Sequence, residues 1–222
     1  MGANIMNNSW GGGGFSQLLL EAIRRAEKKG ILFVAAAGND GVNAKVIPHY
    51  PSSYELSNII RVAATDRTDA LASFSNFGSN VDIAAPGVDI LSCMPGGGYQ
   101  LLSGTSMATP HVAGALALLL SKYPTSDYRT LKTRLLANTT PVVSLQGKTH
   151  YGRLNVANAL ADTDAIAPAS PGLFQATHRN TRAIRLTWTA PGDDGTAGTA
   201  FAYELRVSTA PINGGKIGRA HV

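Results

Sequence analysis

The chain has 222 residues, of which 44% are hydrophobic and 15% are charged, and this balance excludes an intrinsically disordered protein. Its net charge of +5 does not indicate a nucleic-acid partner, because the densest basic stretch, residues 24–29, also contains Glu27 and is typical of a solvated helix face. The single cysteine, Cys93, excludes an internal disulfide, and the longest apolar run, residues 112–120, is shorter than the roughly 20 residues of a membrane span.

The first 161 residues predict an alternation of helices and strands. Apolar residues recur at helical spacing between Ser16, a good N-cap, and Gly30, a helix-ending residue. Residues 31–37 are apolar at every position, which indicates a strand covered on both faces in a parallel sheet. The later predicted elements are strands at 59–64 and 81–85, a helix at about 105–121, and a helix at about 127–137 capped by Ser126. The pattern predicts an α/β fold with a mostly parallel sheet flanked by helices.

The C-terminal part of the chain predicts a second, smaller unit. Residues 162–172 are rich in Asp, Ala and Pro without periodicity, which is typical of a linker. Residues 173–215 predict a partial all-β module with two half-buried strands, because apolar and polar residues alternate at 184–188 and again at 203–207. The last seven residues, 216–222, resemble the translation of a sequencing-adaptor read-through and are interpreted as an assembly scar.

The most informative motif is residues 104–114, Gly-Thr-Ser-Met-Ala-Thr-Pro-His-Val-Ala-Gly, which places Ser106 where a tight turn enters a long apolar helix. Free backbone N–H groups at a helix N-terminus stabilise negative charge, so a serine there can attack a carbonyl and have the resulting oxyanion held by its own amide. Taken alone, Ser106 is better explained as an ordinary N-cap. The whole string, however, resembles the active-serine motif of the subtilisin-like serine proteases.

Two further segments carry the same resemblance. Residues 35–39, Ala-Ala-Ala-Gly-Asn, end a strand where that family keeps its oxyanion-hole asparagine, which implies this role for Asn39. Residues 8–12, Asn-Ser-Trp-Gly-Gly, resemble the family's strand that binds the substrate backbone. The implied walls of the pocket for the side chain before the scissile bond are Ser9, Trp10 and Gly11 on one side and Ala36, Ala37 and Gly38 on the other. Many relatives carry a smaller apolar residue where Trp10 stands, so the details of the implied pocket differ there. Ordinary core packing of Trp10 is an equal alternative.

The aspartate and histidine motifs of the family, Asp-Ser/Thr-Gly and His-Gly-Thr-His, do not occur in the 222 residues. His111 follows Ser106 by five positions on one helix, so at about 100° and 1.5 Å per residue it points about 140° away. His49, His150 and His178 stand beside no carboxylate motif and are expected to be surface or loop residues. The resemblance therefore implies that residues 1–161 are the C-terminal part of a subtilisin-like three-layer domain. It also implies that the chain lacks the N-terminal part of that domain and is inactive alone.

The resemblance also implies peptide or protein substrates, no cofactor for the chemistry, and secretion, although no signal peptide is visible at the N-terminus. A structural calcium ion is compatible with the family, and the loop at 49–56 is the candidate site. The β-module resembles part of a fibronectin type III-like module. Two alternatives stay open: a pseudoprotease or adhesion fragment that only binds, and a sedolisin-type acid peptidase, against which Asn39 argues because that family uses an aspartate in the oxyanion hole.

Overall fold

A computed structural model describes residues 2–161 in full and the backbone of residues 172–180 and 183–189. The chain divides into two compact units, Met1–Ala161 and Asp162–Val222. The helices and strands of the first unit are β1 (Ile5–Asn8), α1 (Gln17–Lys28), β2 (Leu32–Ala36), β3 (Ile59–Thr65), β4 (Ile83–Pro86), β5 (Ile90–Cys93), β6 (Tyr99–Leu102), α2 (Thr105–Lys122), α3 (Tyr128–Ala137), a short 3-10 helix (Val143–Leu145) and α4 (Val156–Leu160). No helix in the described part of the chain has the length and apolarity needed to cross a membrane.

Strands β1 to β4 form a parallel sheet in the order β1-β2-β3-β4. All residues of β2 are buried, because alternate side chains meet helices on opposite faces. Leu32 and Val34 pack with the buried residues of α2, α3 and α4, whereas Phe33 and Ala35 pack with Ile23 of α1. The α/β architecture thus buries the sheet between two helical layers, which explains the continuous apolar run at 31–37.

Local sequence determines where the helices begin. The Ser16 side chain accepts a hydrogen bond from the backbone of Leu19, as the predicted N-cap of α1 requires. The predicted cap of α3 was wrong: Asp127, not Ser126, caps the helix, and its carboxylate accepts from Thr130 N at 2.8 Å. Both residue types are good caps, but only Asp127 lies three positions before the amide that needs an acceptor.

The segment at 8–12 is a strand only at its first residue, so the expectation of a strand there was wrong for residues 9–12. Gly12 and Gly13 have φ values of 106° and 78°, which take the chain out of the extended conformation after β1. The sequence pattern did not predict strands β5 and β6, which pair as an antiparallel hairpin, nor the 3-10 helix and α4.

In the second unit, β7 (Gly172–Asn180) pairs antiparallel with β8 (Ala183–Thr189). Strand β8 confirms the strand predicted at 184–188. The strand predicted at 203–207 and the tail at 216–222 lie outside the described residues. The fibronectin type III-like identity and the limits of linker and module stay predictions.

Candidate active site

Ser106 lies in the first turn of α2, at the same edge of the sheet as the carboxyl ends of β1 and β2. Its amide donates to no atom of residues 2–161, while the next amide, Met107 N, bonds to Gly104 O at 3.0 Å. Gly104 is the N-cap and offers no side chain to the helix terminus. The helix therefore begins with an open N–H at Ser106, which is the arrangement that can stabilise an anion.

A reciprocal pair of hydrogen bonds joins Ser106 to Ser9. The Ser106 hydroxyl donates to the Ser9 carbonyl at 3.0 Å, and the Ser9 hydroxyl donates to the Ser106 carbonyl at 2.8 Å. The second bond exists because Pro110 stands four residues after Ser106 inside α2 and has no N–H for the Ser106 carbonyl. The sequence pattern that ends in Pro110 thus frees a carbonyl, and Ser9 satisfies it.

Asn39 follows β2 and is held by the residue before the serine. Its Oδ1 accepts from Thr105 N and from Thr105 Oγ1, each at 2.8 Å, and Thr105 Oγ1 also accepts from Gly38 N at 3.3 Å. Because Thr105 N can only donate, the oxygen of the Asn39 amide must face α2. Its Nδ2 therefore faces elsewhere, near Gly104, and donates to no protein atom within residues 2–161. Sequence reasoning missed Thr105 as the residue that fixes this orientation.

Asn76 holds the loop that carries Asn39 in place through hydrogen bonds. Sequence reasoning did not identify Asn76 either. Its side chain is fully buried; Nδ2 donates to Ala37 O at 3.0 Å, and Oδ1 accepts from Asp40 N at 3.0 Å and Val42 N at 3.2 Å. Its backbone N donates to Gly38 O at 2.9 Å. The contacts span both sides of Asn39, so Asn76 fixes the loop on which the amide sits.

The residues expected as pocket walls differ in their exposure. Gly11 is exposed and Ser9 is partly exposed, whereas Ala36, Ala37 and Gly38 are buried. Ala37 packs in a core cluster with Ala63, Val81 and their neighbours. Trp10 is 50% exposed, so it is not a core residue. The two segments face each other across the ring of His49.

His49 lies in a loop, as expected, but its ring is partly buried at the candidate site, which the sequence did not predict. Its ring lies against Gly11 and Gly38: a Cβ on Gly38 would be 2.7 Å from the ring Cδ2, and a Cβ on Gly11 would overlap the ring Cε1. The pKa of His49 is lowered from its ordinary value by burial, and the negative charge of Asp40 opposes that shift. A neutral imidazole therefore separates the two segments near neutral pH.

No histidine of residues 2–161 hydrogen-bonds to Ser106. The His111 ring nitrogen Nδ1 lies 2.8 Å from Met107 O, away from the serine, and His150 stacks edge-on against Tyr151. His178 lies in β7, where only the backbone is described. Among the residues whose side chains are described, no three His, Cys, Asp or Glu side chains are grouped so that they could hold a metal ion, so the calcium prediction for residues 49–56 gains no support.

Comparison with known proteins identifies a protein family and individual relatives of this chain. The profile of the Subtilase family matches residues 1–165. Subtilisin DY of Bacillus licheniformis is 41% identical over 153 residues, which are 68% of this chain and 54% of that protein. A thermophilic serine proteinase of Bacillus sp. strain AK1 is 44% identical over 161 residues, which are 72% of this chain and 38% of that protein. The chain thus spans about half or less of these curated relatives.

Solved structures agree with the sequence relatives. The prenylagaramide maturation protease PagA superposes with a TM-score of 0.64 and 38% identity, covering 72% of this chain and 62% of that chain. A cold-adapted subtilisin-like serine proteinase superposes with a TM-score of 0.63 and 37% identity, covering 71% of this chain and 55% of that chain. The α/β fold expected from the sequence is therefore confirmed.

Proposed function

Because this chain belongs to the subtilase family, we propose that it forms the part of a serine endopeptidase that carries the nucleophile and the oxyanion hole. One observation carries the proposal. The open amide of Ser106 and the amide side chain of Asn39 are joined through Thr105, whose backbone and hydroxyl both bond to Asn39 Oδ1. Two N–H donors at the start of α2 are thereby free to bind a developing negative charge.

The proposed reaction is acyl transfer. Ser106 Oγ attacks the carbonyl carbon of the peptide bond, and its proton passes to a general base. The tetrahedral oxyanion is stabilised by Ser106 N and Asn39 Nδ2, after which the amine leaves with a proton and water hydrolyses the acyl-enzyme. This chemistry uses no cofactor. The substrate is a peptide or protein whose main chain lies along residues 9–11, with the side chain before the scissile bond directed between residues 9–11 and residues 36–38.

The base is proposed to come from polypeptide outside these 222 residues. Ser106 Oγ donates to the carbonyl of Ser9, which cannot act as a base, and the family's aspartate and histidine motifs are absent from the printed sequence. We call a protein that combines this chain with both motifs the full-length protease. The chain alone is proposed to be inactive, and secretion of the full-length protease and a trailing fibronectin type III-like module remain part of the proposal.

A serine-directed fluorophosphonate tests the role of Ser106. Treatment of the full-length protease followed by peptide mass spectrometry is expected to place the label on Ser106. The Ser106→Ala variant should remain unlabelled and inactive. Labelling at another serine, or undiminished turnover in Ser106→Ala, would contradict the assignment.

A chromogenic peptide assay tests the inactivity of the isolated chain. The purified 222-residue chain should hydrolyse the peptide no faster than its own Ser106→Ala variant, because removing the base of a subtilisin, the enzyme in which the effect was measured, costs about 10⁶ in turnover. Turnover well above that control would mean that a residue within the chain serves as base.

A further inference from the structure

Arg61, a residue of β3, binds the main chain of the loop at 49–56 through its guanidinium group. Its Nε donates to Ser52 O at 2.6 Å, and its Nη2 donates to Tyr54 O at 3.0 Å. The remaining nitrogen, Nη1, lies 3.5 Å from Asp82 Oδ2, which also accepts from the Arg61 backbone N at 2.7 Å. Each nitrogen of the guanidinium thus faces an oxygen, and the side chains of this ion pair are only 15% exposed.

The three oxygens around the guanidinium are of the kind that a hard cation binds. Ca²⁺ takes backbone carbonyl and carboxylate oxygens as ligands, about six to eight of them in all. In this structure two loop carbonyls and one carboxylate converge on a side chain that always carries a positive charge. Arg61 therefore supplies the positive charge at the position where an ion bound to these oxygens would lie.

A second basic side chain, Lys132 of α3, binds the main chain directly after the loop. Its Nζ donates to Ser57 O at 3.0 Å and to Ile59 O at 2.6 Å. Burial lowers the pKa of Lys132, the negative charge of Asp82 opposes that shift, and the positive charge of Arg61 adds to it. The two basic groups thus lie close enough to repel each other. A divalent cation entering this region would meet both of them.

We propose that Arg61 replaces a metal ion at the loop 49–56, so that this loop binds no calcium and does not depend on calcium for its stability. The family resemblance made this loop the candidate calcium site. The residues present do not fit the ion there, because the oxygens available to it are already bonded to the guanidinium. Ser52 and Tyr54 are buried, so solvent cannot freely replace those bonds.

The proposal predicts that removal of the Arg61 side chain creates a cation site. Arg61→Ala leaves the carbonyls of Ser52 and Tyr54 without their donors and leaves the Asp82 carboxylate without its counter-charge. Buried carbonyls that lose their donors are unfavourable, and a hard cation with its bound water can satisfy them. The variant should therefore gain an affinity for calcium that the protein with Arg61 does not have at this loop.

The test measures the increase in melting temperature that calcium produces, as the difference between melting in about 10 mM CaCl₂ and melting in EDTA. The parent protein is the full-length protease carrying Ser106→Ala, which prevents self-digestion. Ions bound elsewhere contribute equally to the parent and to its variants, so only the difference between them is interpreted. In Arg61→Ala this increase should exceed that of the parent by about 3 °C or more, the shift expected for an ion present at about ten times its Kd. Calorimetric titration should find an additional calcium ion bound to Arg61→Ala.

Two variants show whether the extra shift comes from this loop. Asp82→Asn added to Arg61→Ala should abolish the extra shift, because it replaces the carboxylate by a neutral amide. Arg24→Ala removes an arginine from a surface ion pair with Glu21 and should show the same calcium-dependent increase as the parent. An increase in Arg61→Ala within about 1 °C of the parent's, with no additional ion bound, would overturn the proposal.

A single substitution that retains Arg61 keeps the proposal testable if Arg61→Ala does not fold. Asp82→Asn in the parent should leave the calcium-dependent increase unchanged, because no calcium is bound at this carboxylate while Arg61 is present. A loss of about 2 °C or more from that increase would show calcium bound beside Arg61 and would overturn the proposal. None of these measurements uses peptide hydrolysis, so their failure leaves the proposed protease function unaffected.

Discussion

Replacement of Asn76 by Ala should both destabilise the domain and impair the site. The substitution strands the Ala37 carbonyl, which is buried, and removes the acceptor of Asp40 N and Val42 N. An unsatisfied buried group costs about 1–3 kcal/mol, and each hydrogen bond that water can replace contributes about 0.5–1.5 kcal/mol. We therefore expect a loss of about 4 kcal/mol in the free energy of unfolding, within a range of about 2–6 kcal/mol, which is a large share of the roughly 5–15 kcal/mol typical of a domain.

The assay is urea unfolding of the full-length protease followed by circular dichroism, with Ser106→Ala as background so that self-digestion cannot interfere. Asn158→Ala is the matched control, because Asn158 is an exposed residue of α4, and it should change the free energy by less than about 0.5 kcal/mol. In the full-length protease that retains Ser106, the Asn76→Ala substitution should lower kcat more than it raises KM, because Asn39 lies between two residues bonded to Asn76. A destabilisation below about 1 kcal/mol, or one equal to the control, would refute the reasoning.

Three further predictions concern neighbouring residues. Asn39→Ala should lower kcat by about 10²–10³ with KM little changed, a magnitude taken from the oxyanion-hole asparagine of subtilisin itself; unchanged kcat in steady-state assays would remove Asn39 from the site. Ser9→Ala should destabilise the domain by about 1–2 kcal/mol in urea unfolding, because the Ser106 carbonyl loses its partner, whereas Ser9→Thr, which keeps a hydroxyl, should lose less. The folded state holds the pKa of His49 below the ordinary value of 6.5, so it binds fewer protons than the unfolded state as the pH falls through that region. Stability should accordingly decrease between about pH 7.5 and 5.5, and by a smaller amount in His49→Gln; equal decreases in both proteins would contradict the pKa shift.

Local patterns predicted the parts of the fold that depend on local physics. The apolar run at 31–37 predicted β2, because a strand that is buried on both faces is apolar at every position. The apolar residues at helical spacing after Ser16 predicted α1, because a helix that is buried along one side repeats its apolar residues at that spacing. The cap of α3 was misplaced because Ser126 and Asp127 are adjacent and both are good caps. Strands β5 and β6 were missed because their residues are mostly exposed and show no alternation of apolar and polar positions.

The residues of the candidate site also differ in whether the sequence alone could reveal them. Ser106 and Asn39 could be singled out because each stands inside a recognisable string. His49 and Asn76 could not, because their roles arise from contacts with residues far along the chain. Asn76 meets Asp40 across 36 positions, and His49 gains its place from Gly11 and Gly38 together. A histidine without a carboxylate motif beside it gives no sequence signal of such a position.

The reciprocal bonds between Ser9 and Ser106 have a consequence for folding kinetics. These bonds join residues 97 positions apart, and the bond between Asn39 and Thr105 spans 66 positions. Contacts between residues so far apart in the sequence require the closure of long loops. The entropy cost of closing these loops opposes the contacts, so they form in the slow steps of folding. A partly folded chain that lacks these contacts has no fixed Ser9 partner for Ser106 and no Thr105 partner for Asn39. The chemistry proposed for Ser106 is thereby withheld from partly folded molecules, which are the ones most exposed to cleavage by their neighbours.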